Sequence, residues 1–353
     1  MNKRPKKKTA RRTRPKGRAQ PARRDTLSIL FTCVGRRIEL LEAFRRAASR
    51  LRVRLTIYGA DINQVAPAIH RVDKPYIVPR IDNRRHIPEL LRIVQREKID
   101  LIIPLIDSDL LALCRAADRF KRLGCTVLIS DENVIRACAD KLATYRTLAQ
   151  AGIDTPRTWS AREATAIRRH KFPYFVKPRT GSAGVGLYRV NTTEELRVFL
   201  KRGPESIVQE FVPGVEHTLD VYAGFDGTPR CVVPRRRIEV RTGEVSKGII
   251  VKDPAIIEVG RCVVRALGGC RGVITVQCIV TSQGRIRVIE VNPRFGGGAP
   301  LSIQAGADFP RWIMAQLLNR RVRISDAVYK DRLTMLRYDE SVFINGDHVL
   351  PDD

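Results

Sequence analysis

Apolar positions in the first third of the chain fall into short buried runs separated by amphipathic stretches. Residues 27–32 (Leu-Ser-Ile-Leu-Phe-Thr) read as a buried strand, and behind Gly35-Arg36-Arg37 the positions Ile38, Leu40, Leu41, Phe44 and Ala47 recur at helical spacing. The pattern continues with a strand over 53–60 ending at Asp61, an extended piece at 76–78 and a helix over 87–94. A strand at 101–104, a helix from Asp107-Ser108-Asp109 through Phe120, a strand at 126–129 and a helix over 132–139 capped by Asp131 complete it. This β-α alternation predicts an α/β domain, a doubly wound parallel sheet with helices on both faces. Ligands of such sheets sit at strand C-termini, so Asp61 is a candidate contact. The Gly35 turn reads equally as a plain connection or as an anion contact at a helix start.

The pattern changes after Lys141. A helix over 142–151 stops at Gly152, and a strand at 174–177 runs into the glycine-rich loop 180–186 and a strand at 187–190. Thr192-Thr193-Glu194-Glu195 reads as a capping box for a helix to Lys201, followed by a strand at 207–211. Two hairpins follow, 216–225 with 229–240 about Asp226-Gly227, and 272–280 with 285–292 through Ser282-Gln283-Gly284. Between them Asp253-Pro254 starts a helix to Leu267; a helix at 308–318 and a late strand at 335–344 close the chain. This part is α+β in character.

Bulk composition narrows the picture. Of 353 residues, 43% are hydrophobic, enough for a folded core. No apolar run approaches the roughly 20 residues of a membrane span, and no secretory signal is evident, so a cytoplasmic protein is expected. The eight cysteines form no C-x-x-C pair and read as reduced, buried thiols. The net charge is +28, of which residues 1–24 supply 12 Lys or Arg and no acid, leaving 28 − 12 = +16 for the rest. That segment reads as a disordered basic tail able to make nonspecific nucleic-acid contacts, or as a solubilising extension.

The densest chemistry lies in Val288-Ile289-Glu290-Val291-Asn292-Pro293-Arg294. Alternation sends Glu290 and Asn292, with Arg294 next in the series, toward one side of a strand. A carboxylate and an amide oxygen suit a hard cation, and a guanidinium suits a phosphate. Gln277 lies on the partner strand, opposite Glu290. Lys177 delivers a cation just before the glycine loop, whose backbone can approach phosphate oxygens. Gln209–Glu216 could offer backbone groups to a base and a carboxylate to ribose. Arg235 and Arg237, with Lys247 after them, fall among the central strands and read either as contacts to a substrate carboxylate or γ-phosphate or as a solvated basic face. Gly297 and Gly298 read as room for a substrate.

Taken in order, Lys141, Lys177, the 180–186 loop, Gln209–Glu216, Gln277 and Glu290-Val291-Asn292-Pro293-Arg294 resemble the ATP-grasp superfamily over most of residues 27–320. The likeness is nearest to one synthetase half of the carbamoyl-phosphate synthase large subunit, and the first part resembles a preATP-grasp domain. The resemblance implies ATP-binding residues Lys141, Lys177, Gly181, Ser182, Ala183, Gly184, Val185, Gly186, Glu210, Phe211, Val212 and Glu216. It implies Mg²⁺ (or Mn²⁺) on Gln277, Glu290 and Asn292, and Arg294 with Lys177 at the transferring phosphoryl group. Glutamine at position 277, where many members carry an acid, matches the carbamoyl-phosphate synthase variant. The chain is too short for two synthetase halves and shows no amidotransferase portion. The implied boundaries are a tail at 1–25, a preATP-grasp domain at 26–135, an ATP-grasp domain at 136–325 with a lid over about 141–212 and a metal-holding part over about 213–325, and an extension at 326–353. The expected activity is ATP-dependent ligation of a small-molecule carboxylate to an amine, with a homodimer left open. The alternatives are a nucleic-acid-associated protein with a regulatory ATP site and a nucleotide binder without catalysis.

Overall fold

The computed structural model describes residues 25–346 apart from 168, 182–185 and 242. The basic segment 1–24 and the loop positions Ser182, Ala183, Gly184 and Val185 lie outside the described residues. Chain order begins with β1 (Thr26–Thr32), α1 (Ile38–Leu51), β2 (Arg54–Asp61), β3 (Lys74–Ile77), α2 (His86–Glu97), β4 (Leu101–Pro104), α3 (Asp107–Arg122), β5 (Thr126–Val127) and α4 (Glu132–Ala139). The five strands form a parallel sheet in the order β3-β2-β1-β4-β5, the doubly wound arrangement expected from the sequence.

The sheet's centre is β1, whose Ile29, Leu30 and Phe31 have no exposed surface and serve cores on both faces. Leu40, Leu41, Phe44, Ala47 and Ala48 form the buried face of α1, which ends where Arg52 turns left-handed (φ 54°) and returns its N–H to the Ala48 and Ser49 carbonyls.

The next group is α5 (Lys141–Gln150), β6 (Thr158–Ser160), α6 (Ala161–Thr165), β7 (Tyr174–Pro178), β8 (Tyr188–Val190), α7 (Thr193–Arg202) and β9 (Ser206–Glu210). Its strands form a small antiparallel sheet, β6-β9-β7-β8, over a core of Tyr174, Val176, Val190, Leu196 and Val208. Thr192 caps α7 by accepting from the Glu195 amide, but Glu195 returns its carboxylate to the Asn191 amide rather than to Thr192. The reciprocal capping box is at Ser160–Glu163 instead.

The remainder comprises β10 (Val215–Ala223), β11 (Pro229–Arg241), β12 (Glu244–Ile250), α8 (Pro254–Leu267), β13 (Gly272–Val280), β14 (Ile286–Asn292), α9 (Ala299–Ala305), α10 (Phe309–Leu317) and β15 (Thr334–Leu336). The strands form one antiparallel sheet, β14-β13-β10-β11-β12-β15. α8 covers one face through Ile256, Val263 and Val264, and Gly260 is required there because a Cβ would lie 2.8 Å from Val232. Tyr222, Cys231, Val233 and Val273 line the other face and share a single core with β1, α1, α9 and α10. Phe44 joins the two sheets by edge contacts with Phe31 (5.0 Å) and Phe295 (6.2 Å). Burying a ring of that size contributes about 1.5–3 kcal/mol, so the turn after β14 is fixed against the parallel sheet by packing.

Several expectations are corrected. The late strand of 335–344 shrinks to Thr334–Leu336, because only these residues find a partner, at the β12 edge. β12 went unrecognised; its Gly248 and polar residues break the apolar run, and its pairing with β11 contains register shifts. Asp131 stands at the start of α4 but makes no cap hydrogen bond, since its carboxylate is held by Arg271. All eight cysteines are free, and only Cys125, Cys231, Cys270 and Cys278 are fully buried.

Candidate active site

One face of the large sheet changes character along its strands. Tyr222 on β10, Val233 on β11 and Val273 on β13 belong to its apolar end. Moving along the same alternation, β10 presents Asp220 and Glu216, β11 presents Arg235 and Arg237, and β13 presents Thr275 and Gln277. Gln277 pairs directly with Glu290, and Thr275 with Asn292; just past Gln277 a bulge shifts the register, so that Cys278 faces Val288. The Asn292 amide donates to Glu290 (3.2 Å), which leaves its oxygen as an acceptor, and the Gln277 amide donates to Glu216 (3.3 Å). Arg237 also bonds the Glu216 carboxylate and the Gly243 carbonyl (3.1 Å). The three residues expected to hold a cation are therefore together, with Glu216 beside them.

The small sheet supplies the opposing charge. Lys177 on β7 donates to Gln209 (2.9 Å), itself fixed by Thr158 (2.9 Å). Burial lowers the Lys177 pKa to about 8, with Lys141 pushing the same way and Glu290 and Glu216 opposing. Lys141, the first residue of α5, donates to the Gly181 carbonyl (2.7 Å). Burial lowers its pKa as well, against Glu290 and Asp107. Asp140 caps α5 and takes both Nε and Nη2 of Arg179, which anchors the chain just before the glycine loop. Gly181 (φ +93°) and Gly186 (φ +72°) flank that loop in the left-handed region.

Glu210 does not face this cleft with its side chain. Its carboxylate takes two bonds from Arg287 (2.9 and 3.0 Å), tying β9 to β14. Phe211 packs on Phe175 (5.4 Å) under the Arg189 guanidinium (4.7 Å), and Val212 is buried.

Arg294 follows β14 into the cleft, where its Nε and Nη2 reach Asp107 (3.1 and 2.6 Å) at the start of α3. The other oxygen of Asp107 is buried and has no hydrogen-bond partner among the described residues. Sequence reasoning did not place Asp107 among the site residues, although its position just past a parallel strand's C-terminus was the available signal. Asp61, by contrast, spends its carboxylate on the Gly35 and Asn63 amides (2.9 and 3.1 Å) and so shapes the first turn.

The expected substrate residues separate. Arg235 is fully buried and forms a two-bond pair with Asp220 (2.7 and 2.9 Å), which Ser302 also bonds (2.5 Å). Lys247 pairs with Glu239 (2.6 Å) toward the far end of β11. Gly297 and Gly298 do not leave open space: added Cβ atoms would lie 2.7 Å from Arg37 and 2.2 Å from Arg235. Side chains already occupy that volume: Arg37 and Glu244 at position 297, Arg235 and Val245 at position 298.

A parallel α/β domain, a small antiparallel sheet and a larger sheet carrying Glu290 thus frame a cluster of two lysines, a carboxylate and two side-chain amides. Residues 138–298 match the family model of the ATP-grasp domain, and residues 29–128 that of the PylC-like N-terminal domain. A D-alanine–D-alanine ligase of Thermotoga petrophila is 31% identical over 205 residues, 52% of this chain and 67% of that protein. A formate-dependent phosphoribosylglycinamide formyltransferase of Ignicoccus hospitalis is 26% identical over 275 residues, 69% of this chain and 64% of that protein's own length. An L-amino acid ligase of Bacillus licheniformis shares the fold, with a TM-score of 0.64 at 18% identity over 85% of this chain and 75% of that one. The chain belongs to the ATP-grasp superfamily and is related to its carboxylate–amine ligases. The expected kinship to carbamoyl-phosphate synthase is distant: the large chain of Clostridium beijerinckii is 23% identical over 273 residues, 25% of its length. No described helix is long and apolar enough to cross a membrane.

Proposed function

We propose that the chain is an ATP- and Mg²⁺-dependent ligase that activates a small-molecule carboxylate as an acylphosphate for attack by an amine. The observation that carries this reading is the grouping of Glu290 with Gln277 and Asn292, close enough to Lys177 on β7 and Lys141 on α5 for its charge to act on both. A carboxylate oxygen attacks the γ-phosphorus of ATP and ADP leaves; the amine nitrogen then attacks the acyl carbon, phosphate leaves, and the nitrogen loses a proton. No protein nucleophile is needed, because the covalent intermediate forms on the substrate. Positioning and charge neutralisation are the protein's contribution.

Glu290, Gln277 and Asn292 offer one carboxylate and two amide oxygens, a donor set that suits a hard cation such as Mg²⁺ or Mn²⁺. Among the described residues no group of three or more His, Cys, Asp or Glu could hold an ion. The set therefore fits a cation that arrives with phosphate oxygens as its remaining ligands, and the bound ion would neutralise those phosphates. Lys141 and Lys177 would hold the phosphates, and Glu216 the ribose. The amides of Glu210 and Phe211 are already bonded to Arg157 and Pro173, so the Val212 amide is the one left toward a base edge. Arg294 would meet the transferring phosphoryl group once it leaves Asp107.

ADP release by the purified chain, measured with MgATP and panels of amino-acid pairs, tests this. Turnover should require both an acid and an amine. Lys177→Ala and Glu290→Ala should each lower kcat/KM by about a hundredfold or more, the usual scale for electrostatic groups at a reacting centre. Full turnover in either variant would remove these residues from the site.

A further inference from the structure

Arg37 stands at the start of α1, in the turn that read equally as a connection or as an anion contact. Its side chain is 19% exposed and its guanidinium lies against the turn after β14, beside Gly297. A planar cation with five N–H donors in such a place needs acceptors. Among the described residues its one ionic partner is Glu244, at 3.4 Å. That carboxylate is shared: Arg36 lies 3.9 Å and Arg337 3.6 Å from its other oxygen. Glu39 offsets Arg337 (3.2 Å), which also donates to the Gly297 and Val245 carbonyls (2.8 and 3.2 Å), so three guanidiniums meet two carboxylates and the uncompensated charge falls on Arg37 and Arg36. Burial lowers the Arg37 pKa; Glu244 works against this, while Arg294, Arg337 and Arg36 add to it.

We propose that Arg36, Arg37 and Arg337 form an anion subsite between the parallel sheet and the turn after β14, seating a carboxylate or phosphate group of the substrate other than the carboxylate that is phosphorylated. The proposal rests on the ligase reading, since Gly297 follows Arg294 by three positions, and it narrows the substrate to a molecule with a second anionic group. Guanidinium forks bind both kinds of anion through paired N–H donors, so the chemistry is shared and the experiment separates the two.

The test is calorimetric titration of the full chain, saturated with MgADP, with inorganic phosphate, succinate or acetate. Succinate or phosphate should bind more tightly than acetate, and the tighter of the two names the anionic group. Arg37→Gln and Arg337→Gln should each weaken that binding by about tenfold or more, as expected for losing a charged hydrogen-bond partner. MgADP affinity serves as the folding control, and Arg36→Gln, at a side chain 74% exposed, stands in for any variant that fails it. Equal affinity in wild type and variants overturns the proposal, as does binding that survives Arg37→Gln but is lost in Lys177→Ala, which would place the anion at the nucleotide phosphates. Failure of the ligase reading is seen separately, as absence of MgADP binding; the anion titrations are then read on the free chain by the same criteria.

Discussion

Gly297 and Gly298 each make room for a guanidinium, yet the two arginines they admit are held in opposite ways. Arg235 has its own carboxylate, Asp220, in a two-bond geometry, with Ser302 satisfying the same acid and both charges almost inaccessible. Arg37 shares one carboxylate at 3.4 Å with two other arginines. The first arrangement closes on itself and binds the sheet to α9. The second leaves donors and positive charge over, a costly state for a half-buried group unless a ligand completes it. Burial alone therefore does not distinguish an arginine of the fold from an arginine of the site; the count of acceptors does.

The largest expected effect that separates them is on stability. Asp220→Ala leaves Arg235 charged, buried and alone, and should cost about 3–5 kcal/mol in urea unfolding. Arg37→Gln relieves like-charge crowding and should stay within about 1 kcal/mol of wild type. If the two losses are equal, Arg37 is a charge of the fold and the comparison collapses.

A smaller effect comes from the glycines themselves. In Gly298→Ala the new methyl meets Arg235 at 2.2 Å and Val245 at 2.6 Å, and Arg235 is pinned. The strain should lower stability by about 1–3 kcal/mol. In Gly297→Ala the contacts are the ends of Arg37 and Glu244, at 2.7 and 2.8 Å, which have room to turn aside. That variant should melt within a few degrees of wild type, a shift of about 1 kcal/mol or less. Thermal denaturation of the pair, side by side, checks the contrast.

Much of this arrangement was legible in the sequence, and the division is physical. The pairing of Gln277 with Glu290 followed from a period of two and a short turn, both local properties. The parallel sheet followed from alternating strand and helix patterns. What stayed hidden depends on residues far apart in the chain. Nothing near Arg294 announces Asp107, and nothing near Arg37 announces Glu244 and Arg337. From its strand position Arg235 reads as a substrate contact or, since arginine is ordinarily exposed, as part of a solvated basic face; only the fold brings Asp220 and Ser302 to it. The small residues at 297 and 298 read as room for a substrate, when the structure fills that space with side chains from the turn before α1, from β11 and from β12.

His86 and Asp109 offer the finest test, because they repeat the closed arrangement with a cation that can be switched off. Both are fully buried; His86 Nε2 lies 3.1 Å from Asp109, its Nδ1 2.8 Å from the Pro79 carbonyl, and Thr32 donates to the other Asp109 oxygen (2.5 Å). An imidazole between two acceptors satisfies both only when doubly protonated. Burial opposes that charge, but the bonds to Asp109 and Pro79 outweigh it and raise the pKa above its ordinary 6.5. A pKa raised in the folded state adds stability that is complete below the unfolded value and is lost as pH rises through the folded one. The neighbouring Cys33 thiol, pushed far up by burial and by Asp109 and Asp61, stays protonated across that window. The urea midpoint should therefore fall as pH climbs above 6.5. His86→Gln should flatten that slope. A slope unchanged by His86→Gln would mean that the imidazole is neutral and that closure around Asp109 does not depend on charge.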